Sequence, residues 1–436
     1  MALIAPDWLI TSARQPALTN WGVRVVGDLI DDVGSIDDLR RRYPNDEEFD
    51  ASGHVVLPGF VNAHTHLYGV LAHGIHVTAP PTGFASFLDD FWWPQVEDRL
   101  DIAMIEAASE WACAEMIRSG VTTFYDICEA PHALPGVLHA QAAVVRATGL
   151  RALLSFEATE RSGAERARLG IEENAAFIAD TIDDPLLGGV MCWHTTFTCS
   201  TAFISSAFER AQDLGALSHA HCNEGTSEGE LCRQANGIDT MELYAKLGVA
   251  GPRFLASQCV QLSAADRDVI AQSGTRVSHM PLSNCEVGGG IAPVPELLAA
   301  NVALGLGSDG YVNDMFEVMR GAFWLHKARL LDPGVMPANT VLELATEGGA
   351  RALGLELVGR LEPGYSADLQ VVALDLPTDI TAENIADQLV LWRNRNDVRD
   401  VMVAGEWVMR DRSLLTIDVE RSRARTREEA RRLWAT

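Results

Sequence analysis

Cysteine is present but never paired by spacing: Cys113, Cys128, Cys192, Cys199, Cys222, Cys232, Cys259 and Cys285 form no C-x-x-C motif. Scattered cysteines in a chain of 436 residues argue against a disulfide framework and for reduced, mostly buried thiols in the cytoplasm. Long apolar runs are missing as well, none reaching the ~18 residues a membrane span requires. The opening MALIAPDWLITSARQ has no basic stretch leading into an apolar one, so no signal peptide is expected. Positive charge is in deficit, with 34 Lys and Arg against 60 Asp and Glu and a formal net charge of −26. Such a surface repels phosphate backbones and anionic membranes, which argues against nucleic acid or a membrane as partner. No internal repeat and no low-complexity tract interrupts the chain.

What is present is enough apolar material for a large core, 47% of residues. The first ~55 residues read as short strands, and residues 367–373 and 398–405 have the same character. Between them short apolar strands alternate with helical stretches such as 102–119 and 202–214. Strand candidates fall at residues 59–61, 122–125, 151–154, 189–192, 216–219, 253–256, 275–278 and 303–307. Eight strands separated by helices predict an α/β fold, a (β/α)₈ TIM-type barrel over residues 58–362, with a doubly wound open sheet as the alternative. Residues 1–57 and 363–436 are expected to join in one small β-sandwich-like domain. The arginines at 421, 423, 425, 427, 431 and 432, interleaved with Glu428 and Glu429, read as a solvated, salt-bridged helix.

In such a barrel catalytic groups sit where strands end. VNAHTHL places His64 and His66 two residues apart, on one side of a strand, where two imidazoles can grip one ion. LSHAHCNEG places His221 at a second strand end and Glu224 three residues on; His219 reads more readily as a packed barrel histidine. A metal lowers the pKa of water towards neutrality and a carboxylate such as Glu224 moves the proton. Asp309, in ALGLGSDG, would alone be a turn aspartate. Beside three histidines it becomes the fourth ligand, catalytic as well as structural, in a His₃Asp set for one divalent ion, zinc first, iron or manganese next. His194 and His279, at two further strand ends, are candidate substrate contacts. Trp92, in Phe91-Trp92-Trp93, either packs a lid or walls a pocket for a flat ring. Glu157, Glu160 and Arg161 read as a surface ion pair or a substrate clamp. Gly288-Gly289-Gly290 is not a phosphate loop, because no Lys-Ser or Lys-Thr follows it.

Together these segments resemble the amidohydrolase superfamily, in its mononuclear-metal branch, from about Gly59 through Asp368. LPGFVNAHTH resembles the family's first strand and the HxxE of His221 and Glu224 its fifth. PLSNCEVGGGIAPVPELLAANVALGLGSDG resembles the block through the seventh and eighth, and GRLEPGYSADLQVV the return to the small domain. FLDDFWWPQVEDRL, GIEENAAFI and SDGYVNDMFEVMRGAFWLHKARLLDPG bring it nearest to SsnA-type aminohydrolases, related to cytosine and guanine deaminases and triazine hydrolases. The resemblance implies His64, His66, His221 and Asp309 as ligands, Glu224 as proton shuttle, His194 as substrate contact, and a homodimer or higher homo-oligomer acting on a small molecule. One position departs from it. The family carries a histidine at the end of the sixth strand, and here Gln258 stands in Ser257-Gln258-Cys259-Val260-Gln261-Leu262. A glutamine there can contact substrate but cannot carry a proton or ligate as imidazole does.

The expected activity is hydrolytic deamination of a small nitrogen heterocycle by water activated at the metal. Hydrolysis of a cyclic amide or a carbon–halogen bond fits the same ligand set, and a ligand-binding barrel without turnover is a third reading.

Overall fold

The computed structural model describes residues 1–77 and 79–435. Eight parallel strand segments follow one another through the middle of the chain. They are Phe60–Thr65, Val121–Cys128, Arg151–Phe156, Leu187–Gly189 continued by Met191–Cys192, Ser218–Cys222, Phe254–Gln258, Arg276–His279 and Leu304–Leu306. All eight residues of the second strand are buried, as expected where helices cover one face and the barrel interior the other.

The fourth strand breaks at Val190, so its halves serve two ladders. Val190 N donates to Leu154 O at 3.1 Å on one side, and Met191 N to Leu217 O at 3.0 Å on the other. Closure comes where the eighth strand meets the first. Thr65 and Asp309 form a parallel bridge, and the Ser308 and Asp309 amides each lie 3.0 Å from His64 O. Gly307 permits that approach, since a Cβ there would sit 2.8 Å from His64 O. The glycine-rich eighth strand thus reflects how closely it passes the first.

Both chain ends contribute to one nine-stranded sheet. Leu369–Ala373 pairs antiparallel with Glu47–Pro58, with Leu369 opposite Pro58. The ladder runs directly into the barrel, because Gly59 N donates to Asp368 O at 3.1 Å. Arg151 Nε, at the start of the third strand, reaches Asp368 Oδ2 at 3.1 Å.

The C-terminal helix, Val419–Trp434, is salt-bridged as expected but not simply solvated. It lies along the helix Ile102–Arg118. Arg421 pairs with Glu110 at 2.9 Å and Arg425 with Glu106 at 2.5 Å, while Thr426 Oγ1 donates to Ala107 O at 3.2 Å. At its end Trp434 Nε1 donates to Leu71 O at 2.7 Å. Its buried stripe is Ser422, Thr426, Glu429 and Leu433. That spacing is helical, and only Leu433 among the four is apolar.

Candidate active site

Strand alternation does bring His64 and His66 to one side, but the first strand runs further than expected, placing His64 inside it and His66 just beyond. His221, at the end of the fifth strand, joins them. The ring centres of His64 and His66, His64 and His221, and His66 and His221 are 5.1, 5.0 and 5.5 Å apart. One nitrogen from each of the three lies within 4.8 Å of the others. His64 is fully buried and neither of its ring nitrogens has a hydrogen-bond partner. Burial holds its pKa well below the ordinary histidine value, so the ring keeps a lone pair for a cation. An apolar core has no use for an imidazole with both nitrogens unmet, whereas a divalent ion has.

The neighbouring groups orient the other two rings. His66 Nδ1 lies 2.7 Å from Ile127 O, which fixes Nδ1 as the protonated nitrogen and frees Nε2. That Nε2 is 3.4 Å from Asp309 Oδ1. His221 Nδ1 is 2.7 Å from Glu157 Oε1, close enough for an ion pair though bent out of hydrogen-bond alignment. Burial pulls the His221 imidazole down, but Glu157 together with the charges of Glu224 and Asp309 outweighs it and lifts the ring to about 9. A carboxylate behind a ligating histidine holds the ring's orientation and raises its basicity.

Asp309 has a left-handed backbone, with φ of 60°, and three donors on its carboxylate. Gln258 Nε2 and Ser283 Oγ reach Oδ2 at 2.8 and 2.6 Å, and Gly310 N reaches Oδ1 at 2.8 Å. Burial pushes this carboxyl up. His66 and His64, with the Ser283 and Gln258 hydrogen bonds, outweigh that and hold it below the usual range. Glu224 is the opposite case: burial, then the charge of Asp309, pushes it well above the ordinary carboxylate value. The three-glycine run finds its use here, since a Cβ on Gly289 would lie 2.7 Å from Glu224 O.

A cavity of about 300 Å³ opens on these groups, with His66, His194, His221, Glu224, Gln258 and Asp309 all lining it. Phe84, Phe87, Phe91, Trp92 and Trp93 form an aromatic side. Trp92 stacks on Phe87, ring centres 5.5 Å apart and 21° from parallel, within a π-helical turn, Phe87–Trp92. Such turns are rare and concentrate at functional sites. His194 donates to or accepts from Thr198 Oγ1 at 2.8 Å through Nδ1, and burial drives its pKa down to about 3. Its ring is therefore neutral near pH 7.

Two expectations are corrected. His279 does not line the cavity; its Nε2 lies 3.1 Å from His326 Nε2, on the helix Met315–Leu330 outside the strand. Arg161 is no surface ion pair. It contacts Glu129 at 2.6 Å, Asp98 at 2.8 Å and Glu97 at 3.1 Å, with its guanidinium 4.9 Å from the Trp93 ring centre. It braces the aromatic side, while Glu157 turns to His221 and Glu160 Oε2 accepts from Ser200 N. His219 is the packed histidine expected, its Nδ1 3.2 Å from Cys192 Sγ. Ser283, unmarked in the sequence reading, belongs to the site through Asp309.

The His279–His326 contact yields an expected result. His279→Ala should cost about 1–3 kcal/mol of stability, because it leaves His326 buried and unpaired. Metal content and KM should not move. Thermal unfolding and elemental analysis check this; lost substrate affinity at unchanged stability would return His279 to the cavity.

Residues 55–408 match the model of the amidohydrolase family. A 5-methylthioadenosine/S-adenosylhomocysteine deaminase from Syntrophobacter fumaroxidans is 35% identical over 419 residues, covering 94% of this chain and 92% of that protein. A 5'-deoxyadenosine deaminase from Methanosarcina mazei is 32% identical over 404 residues, 91% of this chain and 90% of its own. Among solved structures, a zinc-bound adenosine deaminase from Xanthomonas campestris superposes with a TM-score of 0.89 at 26% identity, covering 100% of this chain and 99% of that one.

Proposed function

Because the chain belongs to the amidohydrolase family, we propose that it is a metal-dependent hydrolase that deaminates a 6-aminopurine nucleoside or a close derivative. The observation that carries this reading is the convergence of His64, His66, His221, Asp309 and Glu224 on one site beside an aromatic-sided cavity. The relatives' names supply the purine nucleoside.

Three imidazole nitrogens and one carboxylate are the donor set of a single divalent ion, zinc in this reading, with iron and manganese also compatible. When bound, the ion supplies the Lewis acidity that makes water nucleophilic near neutral pH. The chain's own groups do the rest. The aromatic side stacks the flat ring system and excludes water. His194, neutral and held by Thr198, offers a hydrogen bond without a charge. Glu224 takes a proton from the attacking water and delivers it to the departing amine, so that the C–N bond is exchanged for C–O and ammonia leaves.

Ammonia release across a panel of adenosine derivatives tests the reading. No release from any of them, with hydrolysis of a chlorinated heterocycle or a cyclic amide instead, would overturn it.

Residues 58–362 serve in this reading as the metal-binding barrel, with 1–57 and 363–436 as the β-rich unit; the ladder between Glu47–Pro58 and Leu369–Ala373 supports that division. The cytoplasm is the proposed compartment, supported by the unpaired cysteines. Among the described residues no helix is long and apolar enough to cross a membrane. Family resemblance supports a homodimer. Light scattering at micromolar concentration should give twice 47.3 kDa or more; particles of 47.3 kDa alone would contradict it.

A further inference from the structure

Gln258 ends the sixth strand and Asp309 follows the eighth, and the two meet through Gln258 Nε2 and Asp309 Oδ2 at 2.8 Å. That contact decides which way the amide points. An ionised carboxylate accepts and cannot donate, so the amide N–H₂ must face it and Oε1 must lie on the other side. Oε1 is buried and has no hydrogen-bond partner among the described residues, and Gln258 lines the cavity.

The backbone keeps the side chain there. Gln258 has φ of 69° and Cys259 φ of 50°, with Cys259 N donating to Ser257 O at 2.9 Å. A three-residue turn with positive central φ is the strained form, and such strain persists where the surroundings enforce it. Anchored at both ends, the amide cannot swing away to satisfy Oε1 elsewhere. A buried acceptor left unmet is costly, and on a residue that lines the cavity it calls for a donor.

We propose that Gln258 Oε1 accepts a hydrogen bond from an N–H of the leaving group, which makes Gln258 a specificity-determining residue for amino-bearing substrates. The inference rests on the deaminase reading and sharpens it. Gln258 touches Asp309, one of the proposed ligands, so Oε1 lies beside the reacting centre. An amine there presents N–H both in the substrate and as it departs. A chloro or methoxy group at the same carbon presents none and leaves Oε1 unmet. An imidazole at this position could donate or accept; the amide, held as it is, can only accept.

The probes are adenosine, 6-chloropurine riboside and 6-methoxypurine riboside. Each is measured for kcat/KM and for Kd with the metal-loaded wild type, Gln258→Met and Ser283→Ala. Methionine keeps the length of the side chain and removes both polar atoms. Ser283→Ala loosens Asp309 in a comparable way but leaves Oε1 in place. The preference for adenosine over the other two should narrow on the order of 10-fold in Gln258→Met and stay unchanged in Ser283→Ala. An equal loss for all three probes in both variants overturns the proposal, since Gln258 would then only hold Asp309. If Gln258→Met loses its metal, Gln258→Asn, whose amide is too short to keep both contacts, should show the same narrowing. No ammonia from adenosine, with the Kd preference still lost in Gln258→Met, sinks the deaminase reading and leaves the acceptor role standing. Failure of every probe to bind or react overturns both.

Discussion

With His64 and His66 both replaced by alanine, bound metal should fall to near zero and turnover should vanish with it. The two side chains supply half of the proposed ligand set from a single strand. His64 has no hydrogen bond to lose, because both ring nitrogens are unmet in the folded chain. Its removal therefore costs little beyond packing volume. His66 gives up its contact with Ile127 O. What remains, His221 and Asp309, is two ligands short of the tetrahedral set a zinc ion requires. Elemental analysis after dialysis against buffer without chelator measures the outcome, and circular dichroism confirms that the barrel has formed. Full metal retention in the double variant would remove His64 and His66 from the ligand set.

Glu224→Gln should lower kcat by about 10²–10⁴-fold while metal content stays at the wild-type level. At about 1.36 kcal/mol per tenfold, that is about 3–5 kcal/mol of lost transition-state stabilisation. The amide has the shape of the carboxyl but can neither take the proton from water nor hand it to the amine. Glu224 contributes nothing to the proposed ligand set, so the substitution separates proton transfer from metal binding. KM should change much less than kcat, because the interaction is made in the transition state. Unchanged turnover on a confirmed substrate would end the proton-shuttle role.

The residues that converge on the site were legible because their signals are local. H-x-H on a strand, H-x-x-E after one, and an aspartate behind a glycine-rich strand each lie within a few neighbours, and strand alternation turns spacing into direction. His279 was misread for the complementary reason. In a parallel strand buried on both faces, composition does not say which parity points inward. His279 points out to His326, 47 residues away. The support of His221 by Glu157 and of Asp309 by Ser283 is likewise a matter of separate strand ends brought together, which no local pattern encodes. The break at Val190 was invisible too, since it arises from one strand's serving two ladders. The direction of the Gln258 amide depends on its neighbour across the barrel, so the sequence marked the position as unusual without saying what it faces.

The bond from Trp434 to Leu71 has a bearing on handling the protein. Leu71 lies in the two-turn 3₁₀ segment Leu67–Ala72 that directly follows His66, so the last turn of the helix Val419–Trp434 is a latch on the segment behind a proposed ligand. Arg99 Nη1 reaches Leu433 O at 3.4 Å and adds a second catch to the same turn. Removing Leu433 and Trp434 would release both catches on that segment. An extension ahead of Met1 instead meets the nine-stranded sheet, whose first strand starts at Ala2.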